Sequence, residues 1–192
     1  MRSWFVLCAT LSAGSALTGA LGNPCALRWV AGTWPQAPWT LWSASLVHLS
    51  AGHLGANLLA LAGLALLGHA LRIGRTATMA LAVAWPLGTA LLMLWPQVTH
   101  YSGLSGLNHA AALVISMFCI LHPGPVRWAP PIGLALLAGT GLKLWLEQAV
   151  THPVMFDPGL GFGVVLAAHL SSALAGAVCG GIAALWTRRH GR

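Results

Sequence analysis

Ser105 lies between Gly103 and Gly106 in the stretch Tyr101–Ala112, which reads Y-S-G-L-S-G-L-N-H-A-A-A. Glycines on both sides let the backbone turn sharply and approach other groups closely. A reactive hydroxyl and its oxyanion donors both need that freedom. A serine alone is a weak nucleophile, and histidine is the usual base that activates it. One stands at His169, in A-H-L-S-S-A-L-A-G-A-V-C-G. Two more stand at His48 and His53, in V-H-L-S-A-G-H-L-G-A-N. His53 and Asn57 are four residues apart, hence one turn apart on one helical face. With the Ser105 backbone N–H they are candidate donors to a tetrahedral intermediate. The plainer readings are an N-cap for Ser105 and helix–helix hydrogen bonding for His53 with Asn57.

Composition determines the elements that must position these groups. Of 192 residues, 57% are hydrophobic and 6% are charged, against about 25% charged in a soluble domain. A membrane span needs roughly 20 apolar residues. The chain therefore reads as a single-domain, all-α polytopic membrane protein with spans at about 3–22, 51–70, 76–95, 105–122, 130–151 and 160–186. The first apolar stretch is long for a signal peptide and reads as a helix. Residues 23–50, with Pro24, Pro35, Pro38, Trp29, Trp34, Trp39 and Trp42, read as a loop at the membrane interface.

Placing the N-terminus in the cytoplasm puts Arg2, Arg72, Arg75, Arg127, Arg188, Arg189 and Arg192 on that side and only Arg28 outside. This positive-inside bias predicts two cytoplasmic termini and suggests a bacterial inner membrane. The net charge of +7 is scattered over helix ends, a pattern that suits a lipid bilayer and not nucleic acid. Cys8, Cys25, Cys119 and Cys179 show no paired spacing and read as small apolar packers.

In this topology the second, fourth and sixth spans descend from the outer face and bring His53, Ser105 and His169 to a common depth. His169 falls about nine residues into its span, roughly 13 Å down. Ser172, Gly176 and Gly180 follow it on one stripe, which lets a neighbouring helix pack closely. The only acids are Glu147 and Asp157, both outside these three spans. A Ser–His dyad without a third member is the expectation. Two-aspartate proteolysis is excluded, H-E-x-x-H is absent, and no metal or other cofactor is called for. Lys143 and Glu147, four apart, predict an ion pair that serves as a brace on the fifth span or as a substrate contact.

H-x-x-x-x-H-x-x-x-N from His48 to Asn57, G-x-S-G from Gly103 to Gly106, and A-H with small residues to Gly176 together resemble the rhomboid intramembrane serine proteases. The resemblance covers nearly all of a six-helix core. It implies Ser105 as nucleophile, His169 as general base and His53 with Asn57 as oxyanion stabilisers, with His48 and Trp39 in structural positions. The sequence departs from the family at Trp39-Thr40, at Ser172 in place of a glycine, and near His69 in place of an acid. His109, four residues after Ser105 and placed to stack on or orient His169, resembles the rhombosortase subgroup, as does the Lys143/Glu147 pair. That likeness implies single-pass membrane substrates carrying a Gly-Gly tail, one span and a basic end. Two other classes fit parts of the sequence. A catalytically silent relative would bind membrane clients, and a metal or proton transporter would use His48, His53, His100, His109 and His169.

Overall fold

The structure is a computed structural model that describes residues 2–190. Helices dominate: α1 (Arg2–Ala20), α2 (Thr40–Ser43), α3 (Ala51–Ala70), α4 (Arg75–Ala90), α5 (Ser105–Leu121), α6 (Ala129–Glu147) and α7 (Leu166–His190). The 3-10 turn Leu91–Leu94 prolongs α4. Two short antiparallel pairs join them, β1 (Trp29–Val30) with β2 (His100–Tyr101), and β3 (Met155–Asp157) with β4 (Phe162–Val164). Five helices, α1, α3, α4 with its extension, α6 and α7, are long and apolar enough to cross a membrane, and α5 is a shorter apolar helix.

Helix α5 is the centre of the bundle, with most of its residues buried. Glycines set how closely its neighbours approach. A Cβ on Gly176 of α7 would lie 2.4 Å from the Ala110 carbonyl oxygen of α5, and one on Gly180 would lie 2.9 Å from the Val114 Cα. On its other side α7 meets α4, where a Cβ on Gly88 would come within 2.9 Å of the Ser172 Cα. Such backbone contact between apolar helices gains dispersion energy that larger side chains would prevent. Helix α1 is locked to α3 by Trp4, wholly buried over Gly68, with its indole N–H donating to the Leu64 carbonyl at 3.2 Å. Helix α6 is attached more lightly, through Gly133 on Cys119 and the Ser116 hydroxyl donating to the Gly133 carbonyl at 2.7 Å.

Four expectations need correction. The last helix begins at Leu166, not at 160, because β3 and β4 form a hairpin before it. The Asp157 carboxylate accepts the backbone N–H of Gly159 at 2.8 Å, and Gly161 takes a φ of +78°, so the chain turns where a helix was expected. The fifth span, expected to run to 151, stops at Glu147 with Gln148 left-handed at φ 50°, followed shortly by Pro153, which disfavours helix before it. In the 23–50 loop, Trp39 and Trp42 are exposed as expected of interface residues. Trp29 instead is fully buried, in a cluster with Ala44, Tyr101 and Ala168. Cys8 and Cys119 are buried packers and Cys179 is half-buried, whereas Cys25, in a turn of that loop, is exposed.

The α5–α7 seam yields a stability prediction. Gly176→Val drives a side chain into the Ala110 backbone, an overpacking expected to cost about 1–3 kcal/mol or more. Gly139→Ala, at a helical position with open space around it, is expected to lose no stability and to gain up to about 1 kcal/mol. Thermal unfolding of the two variants in detergent checks the contrast.

Candidate active site

Four helix ends meet at one end of the bundle, and each supplies a polar group. Ser105 is the first residue of α5, His53 the third of α3, His169 the fourth of α7, and Glu147 the last of α6. The expected depth of His169 is thereby corrected. It sits in the first turn of its helix, because the hairpin occupies the residues that were assigned to the span's upper part.

The approach to Ser105 is held by several groups. Gly103 adopts a φ of +123°, which L side chains rarely take, and a Cβ there would lie 2.7 Å from the His53 ring. Its N–H donates to the Ala44 carbonyl at 3.0 Å, and its carbonyl accepts the Tyr101 hydroxyl at 2.5 Å. The next N–H, that of Leu104, donates to His48 Nε2 at 3.3 Å. His48 Nδ1 meets the Leu46 carbonyl at 3.2 Å, so Nδ1 carries the proton and Nε2 is the acceptor. Gly106 lets α7 close in, since a Cβ on it would come 2.9 Å from the Ala168 carbonyl oxygen.

That closeness brings His169 Nε2 to 3.0 Å from Ser105 Oγ. The other ring nitrogen, Nδ1, lies 2.8 Å from Glu147 Oε2. A carboxylate only accepts, so Nδ1 carries the proton, and the Nε2 lone pair faces the serine hydroxyl. The expectation of a dyad without a third member is therefore corrected: the acid comes from the fifth span, which ends beside the first turn of α7. Glu147 also makes the expected ion pair with Lys143. Its carboxylate is mostly buried, at 16% exposed, while Lys143 is 51% exposed. His109 occupies the expected position. Its ring stacks on His169 with centroids 4.4 Å apart and planes 17° apart, and its Nδ1 donates to the Ser105 carbonyl at 2.7 Å.

His53 and Ser105 line one cavity of about 310 Å³, together with residues of the 97–102 loop and of β4. Its far wall includes Phe162, whose ring is 5.3 Å from His53. His53 Nδ1 is buried and has no partner among the described residues. Asn57 lies one turn deeper and outside that lining. Its side-chain N–H donates to the His53 carbonyl at 3.0 Å, and its own carbonyl accepts from the Asn108 amide at 3.1 Å. Gly176 lies further along the α5–α7 seam, away from the reacting groups.

The sequence reading missed Asn108, Tyr101 and Phe162, and missed that Glu147 reaches His169. Asn108 had a signal, an amide three residues after Ser105 in a mostly apolar helix. As assembled, the arrangement can ionise a hydroxyl: a lone pair accepts its proton, and a carboxylate behind the ring stabilises the cation formed. A scan against protein-family models found no match for the chain, and neither did a search of curated proteins.

His48 supplies a pH prediction. Burial, reinforced by the neighbouring His53, pushes it down from 6.5 to about 4. Its depressed value means the neutral ring contributes stability that is complete above about 6.5 and is lost as the pH falls towards 4. Thermal unfolding of the wild type is expected to weaken across that window, and less so in His48→Gln. Melting temperatures over a pH series measure the difference.

Proposed function

We propose that the chain is a six-span, rhomboid-like intramembrane serine endopeptidase of the rhombosortase kind. The observation that carries this reading is the hydrogen-bonded series Ser105–His169–Glu147, set beside a cavity at one end of an apolar helical bundle. Ser105 Oγ attacks a peptide carbonyl while His169 Nε2 takes its proton. Glu147 holds the ring in the productive tautomer and stabilises the imidazolium. The Ser105 N–H and His53 face the oxyanion, and Asn57 supports them by fixing the first turns of α3. As the tetrahedral intermediate collapses, His169 returns the proton to the leaving amine. Water then attacks the acyl-enzyme by the same route, with no metal or other cofactor in the reaction.

The substrates of this reading are single-pass membrane proteins with a Gly-Gly-type carboxy-terminal tail, cut near the extracytoplasmic face of a bacterial inner membrane. Both termini of the enzyme lie in the cytoplasm. A helical segment must unwind before its carbonyl can be attacked, and glycine lowers that cost by roughly 1 kcal/mol per residue relative to alanine.

The test is co-expression with a reporter bearing a Gly-Gly, transmembrane and basic tail. Wild type is expected to release the reporter's ectodomain, and Ser105→Ala and His169→Ala to release none while remaining folded. Glu147→Gln keeps the shape but loses the charge, and is expected to slow release at least tenfold and up to about 10⁴-fold, as for the acid of other triads. Release by Ser105→Ala equal to wild type rules the mechanism out. Cleavage of a generic rhomboid substrate with this reporter left intact keeps the family and removes the subgroup.

A further inference from the structure

The end of the bundle away from Ser105 carries cations and no described acid to answer them. Arg72, Arg75, Arg127, Arg188 and Arg189 lie in or beside the helix ends there, and Arg2 opens α1. Both acids of the chain stand at the other end: Glu147 closes α6 beside Ser105, and Asp157 lies in the β3–β4 hairpin. Among the described residues the ion pairs are those of Glu147 alone. Counter-charge at the basic end therefore comes from outside the chain.

Helices α1 and α3 build a groove at that end. The Trp4 bond to Leu64 fixes the two helices to each other. The Ser3 hydroxyl, 3.1 Å from that of Thr78, ties the start of α1 to α4. On the outer side of this seam the exposed Phe5, Val6 and Leu66 line a cavity of about 640 Å³, which Arg2 and His69 complete. His69 and His53 are sixteen residues apart on α3, hence roughly 24 Å. A second cavity, of about 250 Å³, shares Phe5 and Leu66 and carries the groove towards mid-bundle along Ala9, Ser12, Ala62 and Ala65. The Ser12 hydroxyl donates to the Cys8 carbonyl at 3.0 Å, so its one proton is already used.

We propose that this groove binds an anionic phospholipid, with its phosphate on Arg2 and His69 and one acyl chain laid over Ala9, Ala62 and Ala65. The chemistry fits at both ends of the groove. A guanidinium meets a phosphate through two parallel N–H bonds, and an imidazole offers at least one N–H in either protonation state. A basic pocket between membrane helices suits a lipid head, and the small side chains below leave room for a chain. A zwitterionic lipid brings a cation of its own to an end that is already positive, which selects against it. Free phosphate would use the head of the site and leave the apolar channel empty. A bound lipid braces α1 against α3, so it adds stability in proportion to its occupancy. The inference rests on the bundle lying in a membrane and not on the protease reading.

The experiment uses the full chain, stripped of lipid in a neutral detergent and offered equal amounts of phosphatidylglycerol and phosphatidylcholine. Native mass spectrometry counts the lipid retained, and thermal unfolding is followed alongside. Wild type is expected to retain one phosphatidylglycerol in preference, with an unfolding temperature that rises and saturates as this lipid is added. Arg2→Gln is expected to weaken retention about fivefold, the effect of one cation at a lipid surface, and Arg2→Lys to keep most of it. Arg189→Gln removes the same charge at the same end but outside the groove, and is expected to change retention less than twofold. Ala62→Trp, at an exposed position, fills the channel and is expected to lower retention at least fivefold with both cations in place. Unfolding without lipid verifies that each variant is folded. The proposal is overturned if the two lipids are retained equally, if Arg189→Gln weakens retention as much as Arg2→Gln, or if Ala62→Trp matches wild type. A rise in unfolding temperature with inorganic phosphate equal to that with phosphatidylglycerol also overturns it, since the site then reads phosphate alone.

Discussion

A serine hydroxyl does nothing chemical until a base within hydrogen-bond reach is ready to take its proton, and here that contact spans the seam between α5 and α7. Everything along the seam serves the 3.0 Å separation between His169 and Ser105. Gly106 admits the Ala168 backbone beside the nucleophile, and Gly176 and Gly180 carry the same close approach down the helices. In an apolar bundle the backbones must nearly touch for this to happen, because no hydrophobic force draws two helices together in lipid. A Cβ at any of these glycines would meet the facing backbone at 2.9 Å or less.

The loop before α5 places the other half of the contact. Gly103 is held by the Ala44 carbonyl and the Tyr101 hydroxyl, and Leu104 by His48, so the turn that presents Ser105 is hydrogen-bonded on three sides. Behind it, Asn108 grips Asn57 and Asn57 grips the His53 carbonyl, which ties the first turns of α5 and α3 together. Buried polar groups are costly unless paired. His53 Nδ1 is buried without a partner among the described residues, beside the cavity.

Local rules in the sequence made much of this legible. Apolar length marked the helices, and the second span, 51–70, matches α3 residue for residue. Stripe arithmetic on Ser172, Gly176 and Gly180 brought α7 to α5, and the four-residue spacing of Ser105 and His109 placed the stacked ring. The misses arose where tertiary geometry decides. The pairing of Lys143 with Glu147 is a helical repeat and was readable. The contact of Glu147 with His169 depends on α6 stopping at a left-handed Gln148, beyond the reach of any periodicity. The hairpin between α6 and α7 had a turn signal in Asp157-Pro158-Gly159, outweighed by the apolar residues around it.

The central claim is that Ser105 is a nucleophile activated by His169. It is tested most directly by reacting the purified protein with a fluorophosphonate and locating the adduct by mass spectrometry. The account predicts one covalent adduct, on Ser105, in wild type and almost none in folded His169→Ala. An unlabelled Ser105 in folded wild type, or equal labelling without His169, would contradict it.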